Sequence, residues 1–190
     1  MPTFLRAIVD ACALPGRIVG WLILPLIAFV CLGVAAARIG VNHLLDWGTE
    51  LPVLGPALTV NSLLDLQWYI FALLVLFGGV YAFRDRQHVS VDFVSGSFPP
   101  RLRLVIEILG DLFLLLPFAA IVTWYGSKFA LSAYTSGEGS TYGGLLDRWV
   151  IKACIPLAFG LLGLAAVARA IGSLRALWRG SALDAQGRPK

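Results

Sequence analysis

Four long apolar stretches, each bounded by charge, constrain the fold more than any other feature of the 190 residues. Ile18–Ala37 runs for 20 residues without a charge, and Leu66–Phe83 runs for 18 before Arg84-Asp85-Arg86 closes it. Leu104–Trp124 is apolar apart from Glu107 and Asp111, and Ala153–Ala168 is uncharged between Lys152 and Arg169. A helix rises about 1.5 Å per residue, so about 20 residues cross a hydrocarbon core of about 30 Å. Lipid offers backbone groups no hydrogen-bond partner, so segments that enter it fold as helices. The pattern predicts an all-α membrane protein with four transmembrane helices at about 18–37, 66–83, 104–124 and 150–170. These form one domain over residues 1–180, and the polar stretch 181–190 reads as a disordered cytoplasmic tail.

Composition agrees. The chain is 58% hydrophobic and 14% charged, against about 25% charged in soluble proteins. The first stretch follows Arg6 and Arg17 and ends in Ala35-Ala36-Ala37, as a cleaved signal would. A signal's apolar region runs only about 7–15 residues, so the stretch reads as a retained span.

The basic residues sit at the edges of the stretches and set the orientation. Eleven of the 15 Lys and Arg fall in the N-terminal segment, the second connection and the C-terminal segment. The other four are Arg38, Lys128, Arg148 and Lys152. The positive-inside rule then places both termini in the cytoplasm. This distribution accounts for the net charge of +4 without nucleic acid, for which no arginine-rich stripe is present. Trp68, Trp124, Tyr125, Trp149 and Trp178 stand near the ends of stretches, where aromatic belts form.

Pro25, Pro117 and Pro156 each remove a backbone donor and predict kinks in three of the spans. Gly160, Gly163, Ala166 and Ala170 predict a small-residue face on the fourth span. In the first connection, Pro52, Gly55 and Pro56 followed by Leu58, Leu63 and Leu64 predict a turn and then a short interfacial helix.

Four groups of residues carry candidate chemistry. Glu107 and Asp111 share a face of the third span at i and i+4. They read as structural or interface acids near a helix start, with Arg103 four residues before Glu107, or as a proton relay. His88 lies in a cytoplasmic segment and reads as a solvated or capping histidine, or as a contact to a partner. The glycine-rich Gly137-Glu138-Gly139-Ser140-Thr141-Tyr142-Gly143-Gly144 lacks the strand and Gly-Lys pair of a phosphate loop and reads as turn chemistry, or as a contact to an extracytoplasmic partner. Arg148 and Lys152 open the fourth span, against both the helix dipole and the positive-inside rule. They imply acidic partners in a neighbouring chain, lipid phosphates, or simple snorkelling. Cys12, Cys31 and Cys154 form no C-x-x-C pair, and no nucleophile–base pair, Walker motif or metal cluster is present, so neither an enzyme nor a cofactor is expected.

Read in order, several motifs together resemble a known family. They are Gln67-Trp68, Gly78-Gly79, Tyr81, Arg84, His88-Val89-x-Val91-Asp92, Pro117-Phe118, Glu138-x-Ser140, Gly143-Gly144-Leu145, Arg148-Trp149-x-Ile151-Lys152 and Ile155-Pro156. Their order and spacing resemble the small membrane subunit, Q, of tripartite ATP-independent periplasmic (TRAP) transporters. Leu146 departs from the pattern, standing where proline is expected. The resemblance implies a non-catalytic subunit in the bacterial inner membrane. It also implies a scaffold beside a large elevator-type permease subunit, M, with a periplasmic binding protein delivering organic acids under a sodium gradient. Residues expected at subunit or lipid contacts are Gln67, Trp68, Arg84, His88, Asp92, Glu107, Asp111, Arg148, Trp149 and Lys152, and none is expected to bind substrate. The alternative is an autonomous four-helix protein such as a small homo-oligomeric exporter.

Overall fold

A computed structural model describes residues 3–85, 99–140 and 144–178. His88, Asp92 and the expected tail 181–190 lie outside the described residues. Four helices within the described part are long and apolar enough to cross a membrane.

The first span begins far earlier than its uncharged stretch. α1 (Thr3–Val19) leads through a single 3-10 turn at Gly20–Leu22 into α2 (Ile23–Ile39), a helical run of 37 residues. α1 extends beyond the sequence expectation because it is amphipathic. Leu5, Cys12, Ala13 and Gly16 are buried on one face, so Arg6, Asp10 and Arg17 stay on the other at no cost to the helix. The 3-10 turn sits just ahead of Pro25, which has no N–H to donate back to the Trp21 carbonyl. Gly40, at φ 75°, terminates α2 in the left-handed conformation that glycine adopts freely.

The first connection corrects the expectation of a short interfacial helix. It is a β-hairpin: β1 (His43–Leu51) pairs antiparallel with β2 (Gly55–Thr59), with irregular register on both sides of Leu45–Asp46. The turn falls at Pro52–Leu54 as the prolines and glycine suggest, but the chain folds back as a strand. Gly55 (φ 70°) follows Val53 (φ 69°), and this reversal brings Trp47 Nε1 to 2.7 Å from the Gly55 carbonyl. Leu63 and Leu64, read as part of the interfacial helix, belong to the second span instead. That helix, α3 (Val60–Arg84), begins six residues before the expected 66 because Thr59 and Ser62 form a reciprocal capping box.

The third span is α4 (Pro100–Gly110), a π-helical turn at Asp111–Leu115, and α5 (Leu116–Ser136). Pro117 cannot donate to the Phe113 carbonyl, and the ladder widens at that point. The fourth span, α6 (Trp149–Trp178), continues through Pro156 without interruption. Both helices outrun their expected ends at 124 and 170. Lys128, Arg169 and Arg175 are good helix formers, so charge marks where the apolar run stops and not where the helix stops.

α6 is the hub, packing against α1, α3, α4 and α5. Its buried small residues, Ala158, Gly163, Ala165, Ala166 and Ala168, permit this crowding. A Cβ on Gly163 would stand 3.4 Å from that of Ala119, whereas Gly160 faces open space and does not belong to the packed face. Cys12, Val80, Phe83, Ala165 and Ala166 form the core where α1, α3 and α6 meet. α1 and α3 approach closely where Gly16 lies on the Phe77 carbonyl and the Tyr81 side chain. By contrast, α2 packs chiefly on α3, and α5 chiefly on α6. The spans therefore form an open array with an apolar helix at each flank, not a closed four-helix bundle.

Candidate functional site

Polar side chains gather at the two ends of this array, and each group is assembled from residues distant in sequence. At the hairpin end the organiser is Asp65, in the second turn of α3. It is buried, and its Oδ2 accepts a hydrogen bond from the Leu145 amide at 3.1 Å. Gly144 packs so closely on this carboxylate that a Cβ there would overlap it. Around Asp65 the connection from α5 to α6 closes on itself. The Ser140 amide donates to the Leu145 carbonyl at 2.9 Å, and the Arg148 amide to the Glu138 carbonyl at 3.0 Å. The hairpin joins the same group, because the Leu146 amide donates to the Val53 carbonyl at 2.8 Å.

Arg148 and Lys152 find acidic neighbours in this chain. Lys152 Nζ donates to Glu138 Oε2 at 2.5 Å and lies 4.0 Å from the centre of the Phe129 ring. Arg148 Nη2 stands 4.0 Å from Asp65 Oδ1, a looser contact. Trp149 meets Tyr134 edge to face at 5.3 Å. Two cations at a helix start are thus balanced by two carboxylates, one from α3 and one from the glycine-rich connection. Sequence reading singled out both cations but neither Asp65 nor Glu138 as their partners. The signal available was the rule that the cations break.

Between α3 and α6 at this end lies a half-open cleft of about 570 Å³. Leu64, Trp68, Tyr69, Arg148, Ile151 and Lys152 line it. Three residues chosen from sequence, Trp68, Arg148 and Lys152, therefore share one cavity. Gln67 turns elsewhere: its Nε2 donates to the Phe29 carbonyl at 2.9 Å, clasping α2 to α3 over the bare Cα of Gly33.

At the opposite end, Asp111 opens the π turn and is buried. Arg169 of α6 binds it with two prongs, Nε to Oδ2 at 2.8 Å and Nη2 to Oδ1 at 2.5 Å. The same guanidinium lies 3.7 Å from the centre of the Phe83 ring on α3. One arginine thus ties three spans. Glu107 is half-buried one turn earlier on α4. Further out, Arg84 Nε donates to Asp10 at 2.6 Å and its Nη1 to Asp85 at 3.0 Å, joining α3 to α1. The described residues contain no group of three or more His, Cys, Asp or Glu able to hold a metal ion.

Residues 58–176 match the family model for tripartite ATP-independent periplasmic transporters, DctQ component. The chain belongs to this family. The matched segment runs from β2 to the last turns of α6 and contains Asp65, Asp111, Arg148, Lys152 and Arg169, while α1 and α2 precede it. No curated protein and no solved structure matches the chain. As a DctQ-family protein with four helices fit to cross a membrane, it is a multi-pass membrane component of a TRAP transporter.

Proposed function

We propose that this DctQ-family protein is the non-catalytic scaffold of a TRAP transporter, packed beside a large elevator-type permease that carries the substrate and ion sites. The observation that carries this reading is the open array within a chain of this family. Its flanking helices α2 and α5 keep long apolar faces, with Leu24, Val34, Phe118 and Ile121 exposed. Lipid covers such faces, and so does another helical subunit. The polar pairs Asp111–Arg169 and Lys152–Glu138 are satisfied within the chain, which suits a part that holds its shape while another moves.

In this reading both termini lie in the cytoplasm of a bacterium and the hairpin end faces the periplasm. There it meets the binding protein that delivers an organic acid. Sodium drives import through the permease, and no residue of this chain touches the substrate.

The deciding experiment is purification of the tagged chain, co-expressed with the large permease, from gently solubilised membranes. Recovery of both in equal amounts, and transport by the pair but not by the permease alone, is expected. Full transport by the permease alone overturns the scaffold role.

A further inference from the structure

We infer that the cleft at the hairpin end is a phospholipid site, with the phosphodiester held by Arg148 and the acyl chains lying against Leu64, Trp68 and Ile151. The argument begins with unmet hydrogen bonds. A guanidinium carries five donors in a planar fork suited to phosphate, yet among the described residues Arg148 reaches only the Tyr69 hydroxyl and, at 4.0 Å, Asp65. Asp65 is of little further use to it, because its other oxygen is taken by the Leu145 amide. Lys152 is committed to Glu138. The buried hydroxyl of Tyr69 has Arg148 beside its oxygen but no acceptor for its own proton among the described residues. Buried polar atoms are nearly always paired, so the Tyr69 proton calls for an acceptor, and the half-exposed Arg148 beside it has donors to spare among the described residues.

The other walls specify what brings that acceptor. Leu64 and Ile151 are apolar, Trp68 is 69% exposed, and Asn61 and Asp65 are the polar residues that complete these walls. A free anion gains nothing from such walls, whereas a lipid uses them for its chains. Depth agrees as well. The cleft lies within the first turns of α3 and α6, and Tyr69 is nine residues into α3, about 14 Å along a helix. This is the zone in which headgroups give way to hydrocarbon and aromatic belts form. The local charge is balanced, two cations against Asp65 and Glu138, so the site selects the phosphodiester and not a net negative headgroup.

The inference requires only a membrane-spanning chain, and stands or falls separately from the transporter reading. The test is native mass spectrometry of the full chain in detergent, titrated with phosphatidylethanolamine or phosphatidylglycerol. One phospholipid of either kind is expected to survive activation that strips the rest. Arg148→Gln is expected to lower its occupancy about tenfold or more, the loss typical of a hydrogen bond to a charged group. Leu64→Trp, which fills the cleft from a partly exposed position, is expected to expel the lipid without lowering the melting temperature. Arg38→Gln, on an exposed face elsewhere, serves as control. Equal retention by the parent and both cleft variants overturns the inference. So does binding of inorganic phosphate at Arg148 without any retained lipid, which assigns the site to a soluble anion. Contact of Arg148 with a carboxylate of a co-purified subunit, with the lipid gone, assigns it to protein and overturns it equally.

Discussion

Arg169 and Asp111 hold each other across the widened turn of the third span, with the Arg169 guanidinium over the Phe83 ring of the second. Asp111 is buried and Arg169 largely so, so each depends on the other. Removing one partner of a buried pair costs about 3–5 kcal/mol, while replacing both with apolar residues is often neutral. Arg169→Met is therefore expected to lower the unfolding midpoint in detergent sharply. Adding Asp111→Leu to it is expected to restore most of the loss. Single and double variants that all melt with the parent would show that the pair contributes nothing.

The same geometry bears on proton transfer. An aspartate with both oxygens held by one guanidinium is committed to that partner and makes a poor relay. In the reconstituted transporter, Glu107→Gln, which leaves the Asp111–Arg169 pair intact, is expected to support transport at the parent rate. A large fall in rate with an unchanged melting temperature would restore the relay reading.

Gly144 offers a sharper test of the hairpin end. Its missing Cβ makes room for the Asp65 carboxylate. Gly144→Ala is expected to push Leu145 off Asp65 and leave a buried acceptor unpaired, at a cost of about 1–3 kcal/mol. Gly160 has nothing within 4 Å of its ideal Cβ. Gly160→Ala, in a helix interior, is expected to be neutral or to stabilise by up to about 1 kcal/mol. Chemical denaturation of the two variants side by side separates these outcomes.

Hydropathy made the four spans and the bends at Pro25 and Pro117 legible, because long apolar runs and missing N–H groups are local facts. It misjudged their ends. α1 hides its apolar residues at helical spacing among charges, and α3 starts on a capping box that carries no hydropathy signal. The hairpin was missed because Leu58, Leu63 and Leu64 match a helical period, whereas the strand depends on where Gly55 turns the chain. At the sites, Arg148, Lys152 and Asp111 stood out as charges in costly places. Their partners Glu138 and Arg169 lie 14 and 58 residues away, and Asp65 lies 83 positions before Arg148. Nothing local marks such pairs, since they exist only once α3, α5 and α6 are packed.

Orientation can be tested without the rest of the transporter. The excess of Lys and Arg at the Arg84 end predicts that end inside and the hairpin turn outside. Pro52 is exposed in that turn, and cysteine there meets a membrane-impermeant maleimide only from the side it faces. In a background with Cys12, Cys31 and Cys154 replaced by alanine, Pro52→Cys is expected to react in intact spheroplasts. It is expected to react in inverted vesicles only after detergent is added. Labelling in inverted vesicles alone reverses the topology. The cleft and its Arg148 would then face the cytoplasm, and any contact with a periplasmic binding protein would have to be sought at the Arg84 end.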